Sequence, residues 1–221
     1  MAVQKKAVAA IDRDQQPQGP GETGWQARKS AATREQILNA AIRCIVELGY
    51  ANATTKKIAE QAGLSRGATL HHFPSKMDII RAAVEFLHEK RLRAFRRSIR
   101  SIPEGADRVK LGVESYWQHV NHPIYVAFFE LSVAARIDND LLKILKPAQR
   151  AFDDEWYQTA RELFPEWQTD RRAFDLALSL SQQLMDGMAI GKLTHAREGN
   201  QEMLLDFLKQ SLRQLMPQAD S

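Results

Sequence analysis

The chain has 221 residues, of which 44% are apolar, so it is long enough to bury one or two hydrophobic cores. A single cysteine excludes an intramolecular disulfide, and no apolar run is long enough for a signal peptide or a membrane span, so we expect a cytoplasmic protein. Residues 28–100 hold 15 lysines and arginines against 6 acidic residues, whereas residues 101–221 hold 13 against 18, which points to a polyanionic partner for the N-terminal part.

The first predicted elements are a polar arm and an amphipathic helix. Residues 1–29 include QQPQGPGETG, which has little periodicity, and we interpret them as a flexible arm. A helix is predicted to start near Thr33, with Gln36 completing a capping box, and to end at Gly49. Its apolar stripe is formed by Ile37, Ala40, Ala41, Cys44, Ile45 and Leu48. Cys44 is therefore interpreted as a small core residue.

Residues 54–76, TTKKIAEQAGLSRGATLHHFPSK, predict two short helices around a tight turn and the start of a third helix. Gly63 stands where the first helix needs a left-handed terminal residue, a conformation that glycine adopts without Cβ strain. The predicted N-caps of the three helices are Thr55, Ser65 and Ser75. This spacing is typical of a helix-turn-helix, and the alternative is a helical hairpin in a bundle core.

The second short helix is basic and poor in large apolar residues, which the hairpin alternative does not explain. It carries Arg66, Thr69, His71 and His72, whose side chains can reach phosphates or base edges. Lys76 follows in the first turn of the next helix, where a phosphate would also meet the positive helix terminus. A short helix of this kind can lie in a DNA groove and read it with a few side chains.

The fourth helix is predicted from about Ser75 to Ile99, and its distal half, EKRLRAFRRSIR, is strongly basic. This half either adds DNA contacts or forms a solvated face that pairs with the acidic C-terminal part. Its distance from the reading helix favours the second explanation. A break at residues 102–105 (IPEG) marks the predicted domain boundary region.

The remaining chain is predicted to be helical throughout, without internal repeats or alternating strand patterns. The middle helices concentrate large aromatic residues, most of which an ordinary core would explain. The alternative is a cavity for an apolar or aromatic small molecule. Its candidate lining residues are Trp117, Tyr125, Phe128, Phe129, Phe152, Trp156 and Met185. Further candidate polar contacts are Glu130, Gln183 and Asp186. His119 and His122 lie three residues apart, but without a nearby cysteine they do not lead us to predict a metal site.

The helix between Phe174 and Leu193 is apolar on nearly every side, so one face needs a surface beyond its own core. A second copy of the chain is the commonest solution. The candidate dimer-interface residues are Phe174, Leu178, Met188, Leu204 and Leu208. Gly187 and Gly191 would allow close helix approach there.

The run from Gly49 to Ile80, GYANATTKKIAEQAGLSRGATLHHFPSKMDII, resembles the DNA-binding segment of TetR-family transcriptional regulators. The similarity covers roughly Ala32 to Val84. In that family a Gly-Tyr or Gly-Phe pair ends helix 1, a Thr-Thr pair opens helix 2, and a Phe-Pro-Ser-Lys-like segment joins helices 3 and 4. Many members have Leu-Tyr where this chain has Thr69-Leu70. We therefore predict that Leu70 is the core residue and that Thr69 faces DNA.

The expected fold is all-α with about nine helices. An N-terminal three-helix helix-turn-helix DNA-binding domain (residues 30–80) follows the arm (1–29) and precedes a C-terminal helical ligand-binding and dimerisation domain (81–217). The resemblance implies a homodimeric regulator of double-stranded DNA. It is expected to be a repressor that a small apolar or aromatic effector releases from a near-palindromic operator. We expect no enzymatic activity, cofactor or metal. The alternative is a helical small-molecule-binding protein or enzyme that binds no operator.

Within the DNA-binding segment, two kinds of contact are predicted. Phosphates are assigned to Tyr50, Thr55, Lys56, His72 and Lys76. Base edges are assigned to Arg66, Thr69 and His71, with Ser65 and Ala68 completing the contact surface. Arg66 has the geometry for a bidentate contact with guanine, which makes it the principal specificity residue. Tyr50 has an equal alternative, in which its ring covers the core.

Overall fold

The structure is a computed structural model that describes residues 22–122, 124–194 and 199–217. Its helices are α1 Glu22–Leu48, α2 Thr55–Gln61, α3 Arg66–His72, α4 Lys76–Arg100, α5 Arg108–Val120, α6 Ile124–Ala134, α7 Asn139–Leu163, α8 Arg171–Gly191 and α9 Gln201–Leu215. A 3-10 turn at Pro165–Trp167 precedes α8. These ranges contain no strand, so the all-α prediction is confirmed. In the same ranges, no helix combines the length and apolar character needed to cross a membrane.

Helix α1 begins earlier than predicted. The hydroxyl of Thr33 donates to the carbonyl of Lys29, 2.9 Å away and one turn earlier, so Thr33 lies inside the helix rather than at its cap. Between residues 25 and 36 the chain lacks glycine and proline, and its alanines, glutamines, arginines and lysine favour helix. The prediction of an arm extending to residue 29 is therefore wrong for residues 22–29. Residues 1–21 of that arm lie outside the described residues. The described residues divide into two compact units, one up to Gln36 and one from Ile37 onward.

The helix-turn-helix forms largely as predicted. Gly63 has a φ of +65°, and the Leu64 amide donates to the carbonyl of Ala59 at 2.9 Å to close the turn between α2 and α3. Ser65 caps α3 by accepting from the amide of Ala68 at 3.0 Å. The capping box of α4 is also present, with Ser75 and Asp78 as its two members. The cap of α2 is Thr54 rather than the predicted Thr55, which corrects the helix start by one residue.

Two hydrophobic clusters build the unit from residue 37 onward. The first joins α1 through the first half of α4 to one end of α6 and the start of α7. The second joins the distal half of α4 to α5, α7, α8 and α9. Helix α4 is buried in the first cluster through Ile79 to Leu87 and in the second through Leu92 to Ile99. One continuous helix therefore supplies core residues to both clusters.

The basic distal half of α4 pairs partly with the acidic region, as predicted. The guanidinium of Arg96 donates to Glu155 on α7 at 2.8 Å and to the hydroxyl of Thr159 at 3.0 Å. Arg93 pairs with Glu89 on its own helix. These exposed pairs each contribute little to stability, because solvent screens them. They do, however, engage part of the charge that could otherwise have contacted DNA.

Candidate nucleic-acid interface and ligand cavity

Helix α3 presents a small set of exposed side chains. The cap at Ser65 fixes the start of the helix, so Arg66 occupies its first position and points into solvent together with Ala68 and His71. The ring of His72 is half-buried and meets the ring of His71 edge to face, with centroids 5.4 Å apart. Helix α3 is thus accessible along the side that carries Arg66 and His71, which is the geometry needed to enter a groove.

Thr69 does not lie on this side. Its side chain is 0% exposed, and its hydroxyl donates to the carbonyl of Ser65 at 3.2 Å. Leu70 is half-buried instead. The prediction that Thr69 faces base edges while Leu70 fills the core is therefore wrong. The apolar methyl of Thr69 packs inward and its only polar atom is bonded one turn back, so it has no group left for DNA.

Tyr50 belongs to the core rather than to the phosphate-contacting surface. Its ring is buried, and its hydroxyl donates to the Oδ2 atom of Asp138 at 2.9 Å. Burial and this carboxylate raise the pKa of Tyr50 to about 12. Of the two alternatives for this residue, the core position is the one observed. The phosphate assignment of Tyr50 is wrong because its hydroxyl is engaged.

Lys76 forms a hydrogen bond with the backbone of Tyr50. Its Nζ atom donates to the carbonyl of Tyr50 at 2.9 Å and lies 4.2 Å from the centroid of the tyrosine ring. Burial lowers the pKa of Lys76, with Asp138 acting in the opposite direction. Lys76 therefore anchors Tyr50, but it is half-buried and one of its three N–H donors is used here, so its phosphate contact stays a prediction. Lys56, by contrast, is exposed on α2, with Glu60 4.0 Å away and Thr55 half-buried beside it.

Helix α6 packs into the first hydrophobic cluster through Ala127 and Leu131, and it also forms a hydrogen bond with the link between α1 and α2. The Oε1 atom of Glu130 accepts the Tyr50 amide at 2.9 Å. Tyr50 is thus held at its amide by α6, at its hydroxyl by Asp138 before α7, and at its carbonyl by Lys76. The link between α1 and α2 therefore cannot shift freely with respect to α6.

Five residues before Glu130, the same helix enters an aromatic cluster built around a buried arginine. Arg91 of α4 is 4% exposed, and its guanidinium carbon lies 4.6, 4.9 and 4.3 Å from the ring centroids of Tyr125, Phe128 and Phe152. Cation–π contacts of this kind are strongest when they are shielded from water. Arg91 was not predicted, although it continues the apolar stripe of α4 between Leu87 and Phe95 at four-residue spacing.

Hydrogen bonds extend from Arg91 to α8. Its Nη2 atom donates to the Tyr125 hydroxyl at 3.2 Å, and that hydroxyl donates to the Oδ1 atom of Asp186 at 2.9 Å. Tyr116 donates to the same oxygen at 3.3 Å. Burial raises the pKa of Asp186, which the two tyrosine donors and the charge of Arg91 partly offset. Burial and the charge of Arg91 lower the pKa of His88 and of His119 to about 4, so both are neutral at pH 7.

An apolar cavity of about 90 Å³ lies beside this network. Its walls include Tyr116, Trp156 and Met185, together with Phe95 and Phe174. Of the predicted ligand-contacting residues, Trp156 and Met185 line the cavity, while Tyr125, Phe128 and Phe152 surround Arg91. Phe129 packs edge to face on Tyr125 at 4.7 Å, and Trp117 lies 5.4 Å from the Nζ atom of Lys192. The cavity is smaller than the several hundred Å³ of ordinary ligand pockets, so a ligand with a ring and a side chain would have to expand it.

The outer faces of α8 and α9 differ from the predicted interface. Phe174 and Leu208 are buried in their own core, so neither is available to a partner. Leu178, Met188 and Leu204 are half-buried. The exposed apolar residues of this region are instead Leu176, Ile190, Leu193, Met203 and Phe207. A Cβ atom added at Gly187 would meet nothing within 4 Å, so the outer face of α8 is open there.

Comparisons with known proteins agree on one family. The family model described as bacterial regulatory proteins, tetR family, matches residues 37–83. An uncharacterized HTH-type transcriptional regulator of Mycobacterium tuberculosis H37Rv is 27% identical over 170 residues, which cover 75% of this chain and 85% of that protein. The HTH-type transcriptional repressor AcnR of Corynebacterium glutamicum is 32% identical over 107 residues, which cover 45% and 57%.

The fold is also similar to that of a solved TetR-family regulator. The crystal structure of a TetR family transcription regulator from Marinobacter aquaeolei VT8 superimposes with a TM-score of 0.63, covering 86% of this chain and 98% of that one at 13% identity. The same family is indicated by the sequence matches, by the capped helix-turn-helix and by the all-helical C-terminal part. The chain belongs to the TetR family of helix-turn-helix transcriptional regulators.

Proposed function

We propose that this regulator is a ligand-responsive repressor, which binds a near-palindromic operator as a homodimer and is released by a small apolar or aromatic effector. The observation that carries the proposal is helix α6, which contacts the aromatic cluster through Tyr125 and Phe128 and the helix-turn-helix through Glu130. Residues 30–80 would form the DNA-binding head and residues 81–217 the effector and dimerisation domain. A cytoplasmic location accords with DNA as the partner.

The DNA contacts divide between positioning and reading. Lys56, Thr55 and His72 would meet phosphates, helped by the excess of positive charge in residues 28–100. Arg66 and His71 would meet base edges from the exposed side of α3, with Ser65 and Ala68 at the contact surface. An arginine at the start of a reading helix can pair with the O6 and N7 atoms of guanine. Arg66 is therefore the proposed specificity residue.

The dimer interface would use the outer faces of α8 and α9. Leu176, Ile190, Met203 and Phe207 are exposed there, and a cluster of exposed apolar side chains is costly in a monomer. The open surface at Gly187 would let a partner helix approach closely. A two-fold axis through this face would present two reading helices, which explains why a near-palindromic operator is expected.

Release would follow from a change in α4 and α6. Arg91 lies on α4 and its partner Tyr125 on α6, so an effector that rearranges this contact acts on the two helices that adjoin the DNA-binding head. The hydrogen bond between Glu130 and the Tyr50 amide would transmit the change to the start of α2. An effector shifts operator affinity only by its differential affinity for the two arrangements.

A double-mutant cycle tests this coupling without a known effector. Tyr125→Phe removes the hydroxyl that joins Arg91 to Asp186, and Glu130→Ala removes the acceptor of the Tyr50 amide. We expect Tyr125→Phe to change operator affinity in the wild-type background and to change it much less beside Glu130→Ala, with a coupling energy of roughly 0.5 kcal/mol or more. Fluorescence anisotropy with labelled operator measures the four affinities.

The matched control is Glu130→Gln, whose side-chain oxygen can still accept from the Tyr50 amide. In that background Tyr125→Phe should keep most of its effect on operator affinity. If Tyr125→Phe and Glu130→Ala have strictly additive effects on the free energy of operator binding, α6 does not couple the aromatic cluster to the DNA-binding head.

A further inference from the structure

The buried guanidinium of Arg91 has more donors than the protein satisfies. Its Nη2 atom reaches the Tyr125 hydroxyl, but its Nε and Nη1 atoms are buried and lack an acceptor among the described residues. The Nε1 atom of Trp156, stacked on Phe152, lacks one too within the same part of the chain. Buried polar groups are normally hydrogen-bonded, so a cluster of such groups calls for an explanation.

These nitrogens fix the chemistry of any partner. A guanidinium and an indole N–H can donate but never accept, so both need an acceptor. Asp186 already accepts from Tyr116 and Tyr125 through Oδ1 and lies behind the Tyr125 hydroxyl as seen from Arg91. The Nε2 atoms of His88 and His119 also lack a partner among the described residues, but a neutral imidazole nitrogen can donate or accept. The nitrogens of Arg91 and Trp156 can only donate, which favours an anion over an amine or a quaternary ammonium ligand.

Charge leads to the same conclusion. His88 and His119 are neutral at pH 7, so the positive charge of this cluster resides on Arg91. The three aromatic rings at 4.3 to 4.9 Å cover the guanidinium but supply no negative charge. Hydrogen bonds from arginine to a carboxylate are charge-assisted and about twice as strong as neutral ones. Asp186 supplies negative charge only from beyond the Tyr125 hydroxyl, so a small carboxylate would supply the acceptors that the Nε and Nη1 atoms of Arg91 lack.

The apolar cavity is adjacent to this charge. Tyr116 lines the cavity and bonds to Asp186, and Trp156 lines it with the same indole whose N–H lacks an acceptor. Arg108, Ser181 and Gln182 also line the cavity and the rest of its wall is apolar, whereas Arg91 lies behind that wall. A ligand that extends from the cavity past these two residues would place an apolar body among aromatic rings and one polar end near Arg91.

We propose that the effector of this regulator is an organic acid, whose carboxylate binds Arg91 and whose aromatic or aliphatic body occupies the cavity beside Tyr116 and Trp156. This inference rests on the proposed function and adds the chemical class of the effector. The carboxylate competes with the Tyr125 hydroxyl for the guanidinium. Binding therefore separates Arg91 on α4 from Tyr125 on α6, the rearrangement that loosens the DNA-binding head.

The test compares three head groups on matched bodies, with the full-length wild-type protein. The probes are benzoate, phenylacetate and 4-phenylbutyrate, together with the amide and the amine that correspond to each acid. Isothermal calorimetry measures binding, and anisotropy of labelled operator measures release. We expect at least one acid to bind roughly tenfold or more tightly than its amide, its amine to bind still more weakly, and the same acid to release operator. Preference for an amine or an amide, or no binding by any acid, would overturn the proposal.

Variants then locate the binding site. Arg91→Met should weaken binding of the preferred acid about tenfold or more and bring it close to that of the amide. Arg93→Met is the matched control, since Arg93 lies two residues after Arg91 on α4 and is exposed and paired with Glu89. The Arg93→Met protein should bind the acid as the wild type does. Unchanged acid binding by a folded Arg91→Met protein would place the carboxylate elsewhere and overturn the assignment. Circular dichroism establishes folding, and the head-group ranking on the wild type stands even if this variant unfolds.

If the protein binds operator but ranks amines above acids, the repressor assignment stands and the effector class is wrong. If it binds an acid through Arg91 but no operator, the acid site stands and the repressor assignment is wrong.

Discussion

Phe207→Asp is expected to convert the dimer into a monomer and to lower operator affinity by roughly two to four orders of magnitude. The side chain of Phe207 is 61% exposed on α9 beside other exposed apolar residues, so a carboxylate there would face its own copy across the two-fold axis. A dimer joins two reading heads, and the second head binds at the high effective concentration set by the first. A monomer loses that gain without any change to α3.

Sedimentation equilibrium at micromolar concentration measures the association, and operator anisotropy measures the affinity. The control is Val133→Asp, since Val133 is 67% exposed on α6, away from α8 and α9 in the chain, and receives the same chemical change. Val133→Asp should remain dimeric and retain operator binding. If Phe207→Asp also stays dimeric with unchanged affinity, the interface lies elsewhere and the outer face of α9 needs another explanation.

Arg66→Ala is expected to remove most of the preference for the operator while leaving weak non-specific binding in place. One bidentate contact with guanine contributes roughly 1–3 kcal/mol of discrimination, and a dimer makes it twice, so specific affinity should fall about 30-fold or more. Affinity for random duplex DNA should change only slightly, since it depends on the total positive charge.

Anisotropy titrations of operator and of random duplex, at several salt concentrations, separate these two effects. Arg172→Ala is the matched control. Arg172 is exposed on α8, so its substitution removes the same charge from a region outside the reading helix. Equal losses on operator and random DNA for Arg66→Ala would mean that this side chain contacts phosphate only. In that case His71 would be the remaining candidate for base recognition.

The helix-turn-helix could be predicted from the sequence because its signals are local. The glycine turn, the serine caps and the capping box of α4 each depend on residues within a few positions of one another, and all are observed. The start of α1 was mistaken because Thr33 and Gln36 match a capping box that a longer helix does not use. A favourable cap is sufficient to start a helix but does not prevent the helix from starting earlier.

The order of Thr69 and Leu70 could not be settled from the sequence. Successive residues of a helix are separated by about 100° around its axis, so a shift of one position in the predicted face can move a residue from the exposed to the buried side. A seven-residue helix gives too short a stripe to fix that phase. The structure buries Thr69 because its hydroxyl can bond to the carbonyl of Ser65, which removes the cost of burying it.

The buried side of α8 and of α9 was also ambiguous in the sequence. Helix α8 has apolar residues nearly all round, so periodicity could not distinguish Phe174, which is buried in its own core, from Leu176, which is exposed. On α9 the choice between Leu208 and Phe207 had the same ambiguity. Tyr50 was ambiguous for another reason, because its partners Glu130 and Asp138 are about 80 residues away and only the folded chain brings them together.

The chain is expected to bind DNA as a dimer that distinguishes one sequence from others. Selection from a random duplex pool with the full-length protein supplies the site, and equilibrium competition at about 0.15 M salt compares that site with a permuted sequence of the same composition. We expect the selected site to be an inverted repeat that the protein binds about a thousandfold or more tightly than its permutation. Equal affinity for the two sequences would contradict this expectation and would identify the chain as a sequence-neutral binder.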